Sequence, residues 1–300
     1  CGVNHRVAKN QPEFIEDEIS MRICPCLLIL AICCCLIPTI GCRSATRPDD
    51  ILEIVVFPYE WVGDIDKIGF NEPSGICWHA PRGTLFVVGD EGELCEMTAD
   101  GDLVQRKVIR AADFEGVTYD PASGLVYLAV EEEEAIVEVD PETFEVRREF
   151  SLPRDFGGET RLKAGGEGIE GITFVPDPQH REGGLFYVAN QAFTLTDEQD
   201  VSAIFEVEVP LRTRRGEPRI TGCTMPGIID LSGLHYDATT DRILAIGDAT
   251  NLILEYSRDL ELLSVQAFPG DNQEGVTVDP DGFLYIAQDT GGIVKIRWLR

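Results

Sequence analysis

Basic residues are scarce in this 300-residue chain: 25 lysines and arginines face 53 aspartates and glutamates, a formal charge of −28. A field of that sign repels phosphate backbones, which excludes nucleic-acid binding as the main role and favours cations or basic partners. Histidine is scarcer still, with four residues, and no HExxH pair, GxSxG elbow or GK[ST] phosphate loop occurs. Zinc-protease, serine-hydrolase and P-loop chemistry therefore lack sequence support, and His79 and His235 read as core or surface residues. Cysteine is plentiful only at one end. Of ten, Cys1, Cys24, Cys26, Cys33, Cys34, Cys35 and Cys42 fall at or before residue 42. Cys77, Cys95 and Cys223 lack paired spacing, so they read as buried free thiols rather than a disulfide framework or a zinc site.

What is present divides the chain. From Met21 the sequence reads MRICPCLLILAICCCLIPTIGC, one Arg before an apolar run ending at Gly41-Cys42. That is the layout of an export signal. A small residue before Cys resembles the lipobox of bacterial lipoproteins, which makes Cys42 the expected lipid anchor. An uncleaved anchor helix of about 18 residues is the alternative. Both tether the rest outside the cytoplasm, in the cell envelope. Residues 1–20 place four acids before the signal and read as an extension from a mis-assigned start. The expected organisation is therefore 1–20 extension, 21–42 signal or anchor, 43–50 polar tether, and 51–300 one folded domain.

Within that domain one phrase returns five times: EPSGICW, DFEGVTY, GIEGITF, DLSGLHY and NQEGVTV, with glycines at 75, 116, 171, 233 and 275. Of the intervals of 41, 55, 62 and 42 residues, the shorter two match the ~40–50 residues of a four-stranded propeller blade and the longer two carry loop insertions. Each phrase is followed by a turn and a second strand (GTLFVVGD, GLVYLAVE, GLFYVANQ, RILAIGDA, GFLYIAQD), then a third, and in four copies a fourth. The last copy lacks its fourth strand, and ILEIVVF at 51–57 is the expected donor. The fold class is all-β, a five-bladed β-propeller closed by pairing the N-terminal strand with the last blade. Insertions at 155–168 and 176–185 are loops that would cover a channel mouth.

These residues resemble the SdiA-regulated domain family of exported bacterial propellers, distantly NHL-repeat-like. The resemblance rests on the ordered SG, FEG, IEG, LSG and QEG pattern with GTLFVVGD and DGFLYIAQD between, and covers nearly everything from about residue 50. It implies a five-bladed propeller, export and bound calcium, with no firmly established activity.

Strand direction alternates within a blade, so starts of first strands and ends of second strands open on one face. This gathers Ser74, Glu115, Glu170, Ser232 and Glu274 with Asp90, Glu91, Glu131, Asn190, Asp248 and Asp289. Converging carboxylates must take up protons or bind a cation, and oxygen ligands without His or Cys select a hard ion, calcium. The expected metal set is Glu115, Glu170 and Glu274 with Asp248 and Asp289. Against it stands a structural role: Glu accepting backbone amides of the next blade, and Asp90, Asp248 and Asp289 serving turns. The run Glu131 to Glu134 reads as a solvated turn, and Arg212, Arg214, Arg215 and Arg219 as a solvated connection that would otherwise meet an anionic lipid or substrate. No catalytic residue is identifiable. The expected function is a membrane-anchored, calcium-binding module presenting a face to a protein, peptide or glycan partner, as a monomer. The alternative is a calcium-dependent esterase, lactonase or phytase-like hydrolase using metal-bound water at the channel mouth.

Overall fold

The computed structural model describes residues 41–44, 54–166, 168–193, 202–268, 270 and 272–300. The chain separates into two units, Cys1–Thr39 and Ile40–Arg300. The first lies outside the described residues, and with it the expected extension and almost all of the expected signal. The second is all-β, with no helix among the described residues.

Five antiparallel sheets follow the five repeats. Blade 1 runs Pro73–His79, Thr84–Gly89, Glu93–Met97 and Leu103–Val108; blade 2 runs Phe114–Tyr119, Val126–Val130, Ala135–Val139 and Val146–Ser151. Blade 3 holds Ile169–Pro176, Gly184–Asn190, Ala203–Glu208 and Arg219–Met225, and blade 4 Leu231–Asp237, Arg242–Gly247, Leu252–Ser257 and Leu262–Ala267. Blade 5 is Gln273–Val278, Phe283–Gln288 and Ile293–Trp298, completed by Tyr59–Asp64. Five hydrophobic clusters fill the five seams, such as Phe86, Val88 and Leu128 between blades 1 and 2, or Ala287, Ile76 and Leu85 between blades 5 and 1.

The repeated glycines mark where the inner strands come closest. A Cβ on Gly75 would stand 2.7 Å from the Gly116 Cα, one on Gly171 2.8 Å from the Ser232 carbonyl, and one on Gly275 2.7 Å from the Ile76 nitrogen. Any side chain there would push neighbouring blades apart. Two residues further on, side chains cross the seams to backbone amides on the free edges of the inner strands. Thr118 accepts the Phe174 amide (3.0 Å), Thr173 that of Tyr236 (2.8 Å), His235 that of Val278 (3.3 Å) and Thr277 that of Trp78 (2.9 Å). This ring satisfies edge groups that no fifth strand reaches. Cys77 holds the remaining position, with its thiol 3.6 Å from the Trp78 carbonyl.

The closure differs from expectation in its strand. Tyr59–Asp64, not residues 51–57, pairs with Ile293–Trp298. The described part of 51–57 instead adds Val55–Val56 in parallel to the outer edge of blade 4, against Gln266 and Ala267. Phe57 then turns inward, 1% exposed, and packs against Trp298 and Phe268 in the seam between blades 4 and 5. Residues 43–44 are likewise no free tether: Arg43–Ser44 pairs in parallel with Thr224 and Met225 on blade 3, and Arg43 meets Glu206 at 2.9 Å.

Cys42, the expected lipid-bearing residue, is bonded to Cys223. Cys77 and Cys95 are buried free thiols as expected, whereas Cys223 is not, because it pairs with Cys42 at the end of the expected signal. The insertions also separate: 155–168, with its hairpin Asp155–Phe156 and Glu159–Thr160, joins blade 2 to blade 3 on the face of the first-strand starts, while 176–185 lies in a turn on the opposite face.

Candidate metal site at the channel mouth

Each inner strand carries a register shift at its start, between Pro73 and Gly75, Phe114 and Gly116, Ile169 and Ile172, Leu231 and Gly233, and Gln273 and Gly275. The extra residue of each bulge is the one before the glycine: Ser74, Glu115, Glu170, Ser232 and Glu274. A bulge frees a residue from the ladder and re-aims its side chain. Here that gathers the side chains at one end of the channel.

Ser232 spans the seam by donating to the Gln273 carbonyl at 2.7 Å, as the structural reading requires. Ser74 donates to Asp90 at 2.6 Å. The three glutamates do something else. Glu115 lies with Asp90 and Asp113 so that one carboxylate oxygen from each falls within 4.8 Å of the others. Glu170 faces Glu131: burial and then the Glu131 charge hold Glu170 well above the glutamate range, and Glu131 is itself raised by burial. Glu274 is pushed up to about 8 by burial, then by Asp248, Asp230, Asp289 and Asp90. Glu115 is held well above its ordinary value by burial, then by Glu170 and Asp113. Asp90 is raised by burial, against the hydrogen bond from Ser74. None of the dominant influences on these five groups is a lysine or arginine.

A set of carboxyls raised by burial and by one another stores unfavourable charge that protons or a cation relieve. Asp113 supplies a direct sign. Its Oδ1 is buried and finds no hydrogen-bond donor, although buried oxygens are ordinarily satisfied. Three carboxylate oxygens with one unpartnered, and no nitrogen or sulfur nearby in the set, suit a hard divalent ion. Asp90, Asp113 and Glu115 would hold it.

Of the expected metal set, Glu115 enters this cluster, Glu170 sits beside it, and Glu274 lies across the mouth. Asp248 accepts the Gln273 amide at 3.0 Å, a bond between blades 4 and 5, and Asp289 lies near Glu274. Asp90 belongs to the cluster rather than to a turn alone. Asp113 was missed, although D-x-E spacing before a strand places two carboxyls on one side. Glu131 and Glu134 are no solvated turn: both are 7% exposed and accept the Gly168 and Gly165 amides, at 3.2 Å each, from the blade 2–3 insertion. The histidines play no part here. His79 and His235 sit toward the opposite end, His235 half-buried in the seam ring and lowered to about 4 by desolvation.

The fold and site define a five-bladed propeller with an acidic channel mouth. The chain belongs to the SdiA-regulated family, whose model matches residues 59–291. Among solved structures it is similar to a glutaminyl cyclase from Myxococcus xanthus, at 12% identity and TM-score 0.58, over 82% of this chain and 98% of that one.

Proposed function

We propose that this protein is an exported, calcium-binding propeller of the cell envelope, acting as a binding or scaffold module. The observation that carries the reading is the buried, donor-less Oδ1 of Asp113 within the Asp90–Asp113–Glu115 cluster. A bound divalent ion would neutralise carboxyls that otherwise have to be protonated, and would lock blade 1 to blade 2. Export is supported by the Cys42–Cys223 bond, since structural disulfides persist in oxidising compartments. One sulfur cannot hold both a disulfide and a lipid thioether, so the tether this reading favours is the uncleaved apolar run before Cys42.

A second reading rests on Glu274. A carboxyl titrating near pH 8 exchanges its proton close to neutrality, as a general acid or base must, and the mouth would then serve hydrolysis of an ester, lactone or phosphoester. The likeness to a glutaminyl cyclase adds N-terminal glutaminyl peptides to the substrates to screen.

Calorimetric calcium titration of chelator-stripped protein tests the first reading. Stoichiometric binding that weakens at least tenfold in Asp113→Asn and Glu115→Gln is expected; unchanged binding in both would return the carboxyls to a structural role. Turnover lost in Glu274→Gln with calcium binding retained would favour the second.

A further inference from the structure

The opposite face holds a cleft of about 440 Å³ between blades 2 and 3. It lies between the first hairpin of blade 2 (residues 119–126) and the loop joining the third and fourth strands of blade 3 (residues 209–218). Its floor is closed by an interblade staple: Arg148 pairs with buried Glu138 and donates to the Pro210 and Leu211 carbonyls at 3.1 and 3.2 Å, while Tyr127 donates to Glu138 at 3.1 Å. Arg148 is thereby neutralised and the blade 3 loop is fixed against blade 2.

The rim is formed by Arg147, Arg212 and Arg214. Arg147 is paired with Asp140. Arg212 and Arg214 form no ion pair or side-chain hydrogen bond among the described residues. Acids outnumber bases about two to one in this chain, and Arg82, Arg106, Arg110, Arg219 and Arg258 all find a carboxylate. Four arginines line the cleft against Asp120 and Glu138, and with Asp140 counted as the partner of Arg147 the local excess is one positive charge in a chain of −28.

The loop that presents them is held from below. Glu182, 1% exposed, accepts the Arg212 amide at 2.8 Å, the Thr213 amide at 3.0 Å and the Thr213 hydroxyl at 2.7 Å. The Arg212 guanidinium lies over Gly183. The loop backbone is positioned before any ligand arrives, and preorganisation of this kind lowers the cost of binding.

We propose that this cleft binds a phosphate monoester, with the forks of Arg212 and Arg214 on the phosphate and Arg147 as a third donor. The guanidinium fork matches phosphate oxygens bidentately, and a phosphate near neutral pH carries close to two negative charges for the two arginines, Arg212 and Arg214, that have no ion pair among the described residues. The volume is that of a small-molecule pocket, and Leu125 and Leu211 offer apolar contact to the ester's carbon skeleton. A soluble sugar phosphate and a lipid headgroup both bear such a phosphate, and the contact chemistry is the same.

The test is binding of glucose 6-phosphate by calorimetry, and of phosphatidic acid vesicles by co-sedimentation, both in chelator so that calcium at the other face recruits no phosphate. The protein and its Arg212→Gln/Arg214→Gln variant are compared, with unchanged thermal unfolding as the control for folding. Sub-millimolar binding to either probe that falls at least tenfold in the variant is the expected result. Binding to the sugar phosphate assigns a soluble ligand, and binding to vesicles alone assigns a headgroup. No binding to either, or binding that persists in the variant, would overturn the proposal.

Discussion

Replacing Glu274 with glutamine separates the cation-site reading from a purely structural one. The folded protein without a cation keeps a proton on Glu274 up to pH about 8, whereas the unfolded chain releases it near 4.5. Between those values the folded state binds more protons, so stability grows as pH falls through the window and is lost as it rises. At pH 7 the offset from the unfolded value corresponds to about 3 kcal/mol against folding, and at pH 9 to about 5 kcal/mol. Glutamine keeps the shape of the protonated acid and needs no proton. In chelator, Glu274→Gln should therefore be more stable than the native protein by up to about 3 kcal/mol at pH 7, by more at pH 9, and by nothing near pH 4. Saturating calcium should shrink the gain, because a cation on Asp90, Asp113 and Glu115 offsets the Asp90 charge, one of those that raise Glu274. Urea unfolding followed by tryptophan fluorescence, at three pH values with and without calcium, reads all of this. A variant less stable than the native protein at every pH in chelator would refute the electrostatic reasoning outright.

Gly116→Ala tests the inner ring: its Cβ would stand 2.9 Å from the Glu170 carbonyl and 3.0 Å from the Ile172 nitrogen, and a loss of about 2–4 kcal/mol in chemical unfolding is expected. His235 carries the opposite pH sign to Glu274. Its folded value near 4 lies below the ordinary 6.5, so its contribution is complete above pH 6.5 and falls away by up to about 3 kcal/mol towards pH 4; His235→Gln should flatten that acid limb, and an unchanged limb would contradict it. The Cys42–Cys223 bond closes a loop with a sequence separation of 181, for which chain entropy gives roughly 5 kcal/mol. Reduction or Cys223→Ser should lower the unfolding midpoint accordingly, and thiol alkylation at both Cys42 and Cys223, mapped by mass under non-reducing conditions, would show the bond is not formed.

The blades were legible because the glycine phrase obeys a steric rule: five inner strands converge, and only glycine fits between them. The carboxylates were legible for the same reason, since the bulged residue sits one position before each glycine. The closing strand was not. YEWVGD lies on the outer rim, where Trp61 and Val62 are both exposed and a register shift interrupts the pairing, so it lacks the alternation that marks a strand covered on one face. ILEIVVF looked more strand-like, yet parallel pairing to an outer edge leaves Val55 and Val56 exposed. Cys42 and Cys223 stand too far apart in sequence for spacing to pair them, and Asp113 falls just outside the repeated strand.

The manner of closure constrains when this protein can fold. Tyr59–Asp64 precedes all five inner strands in the chain, yet its ladder partner among the described residues, Ile293–Trp298, is the last strand of blade 5. The earlier segment must wait, with its edge unpaired, until blade 5 has been made, and contacts of such long sequence separation form slowly. This closure also means that loss of even the final strand would leave the circle open, with two unprotected edges available for pairing with other chains.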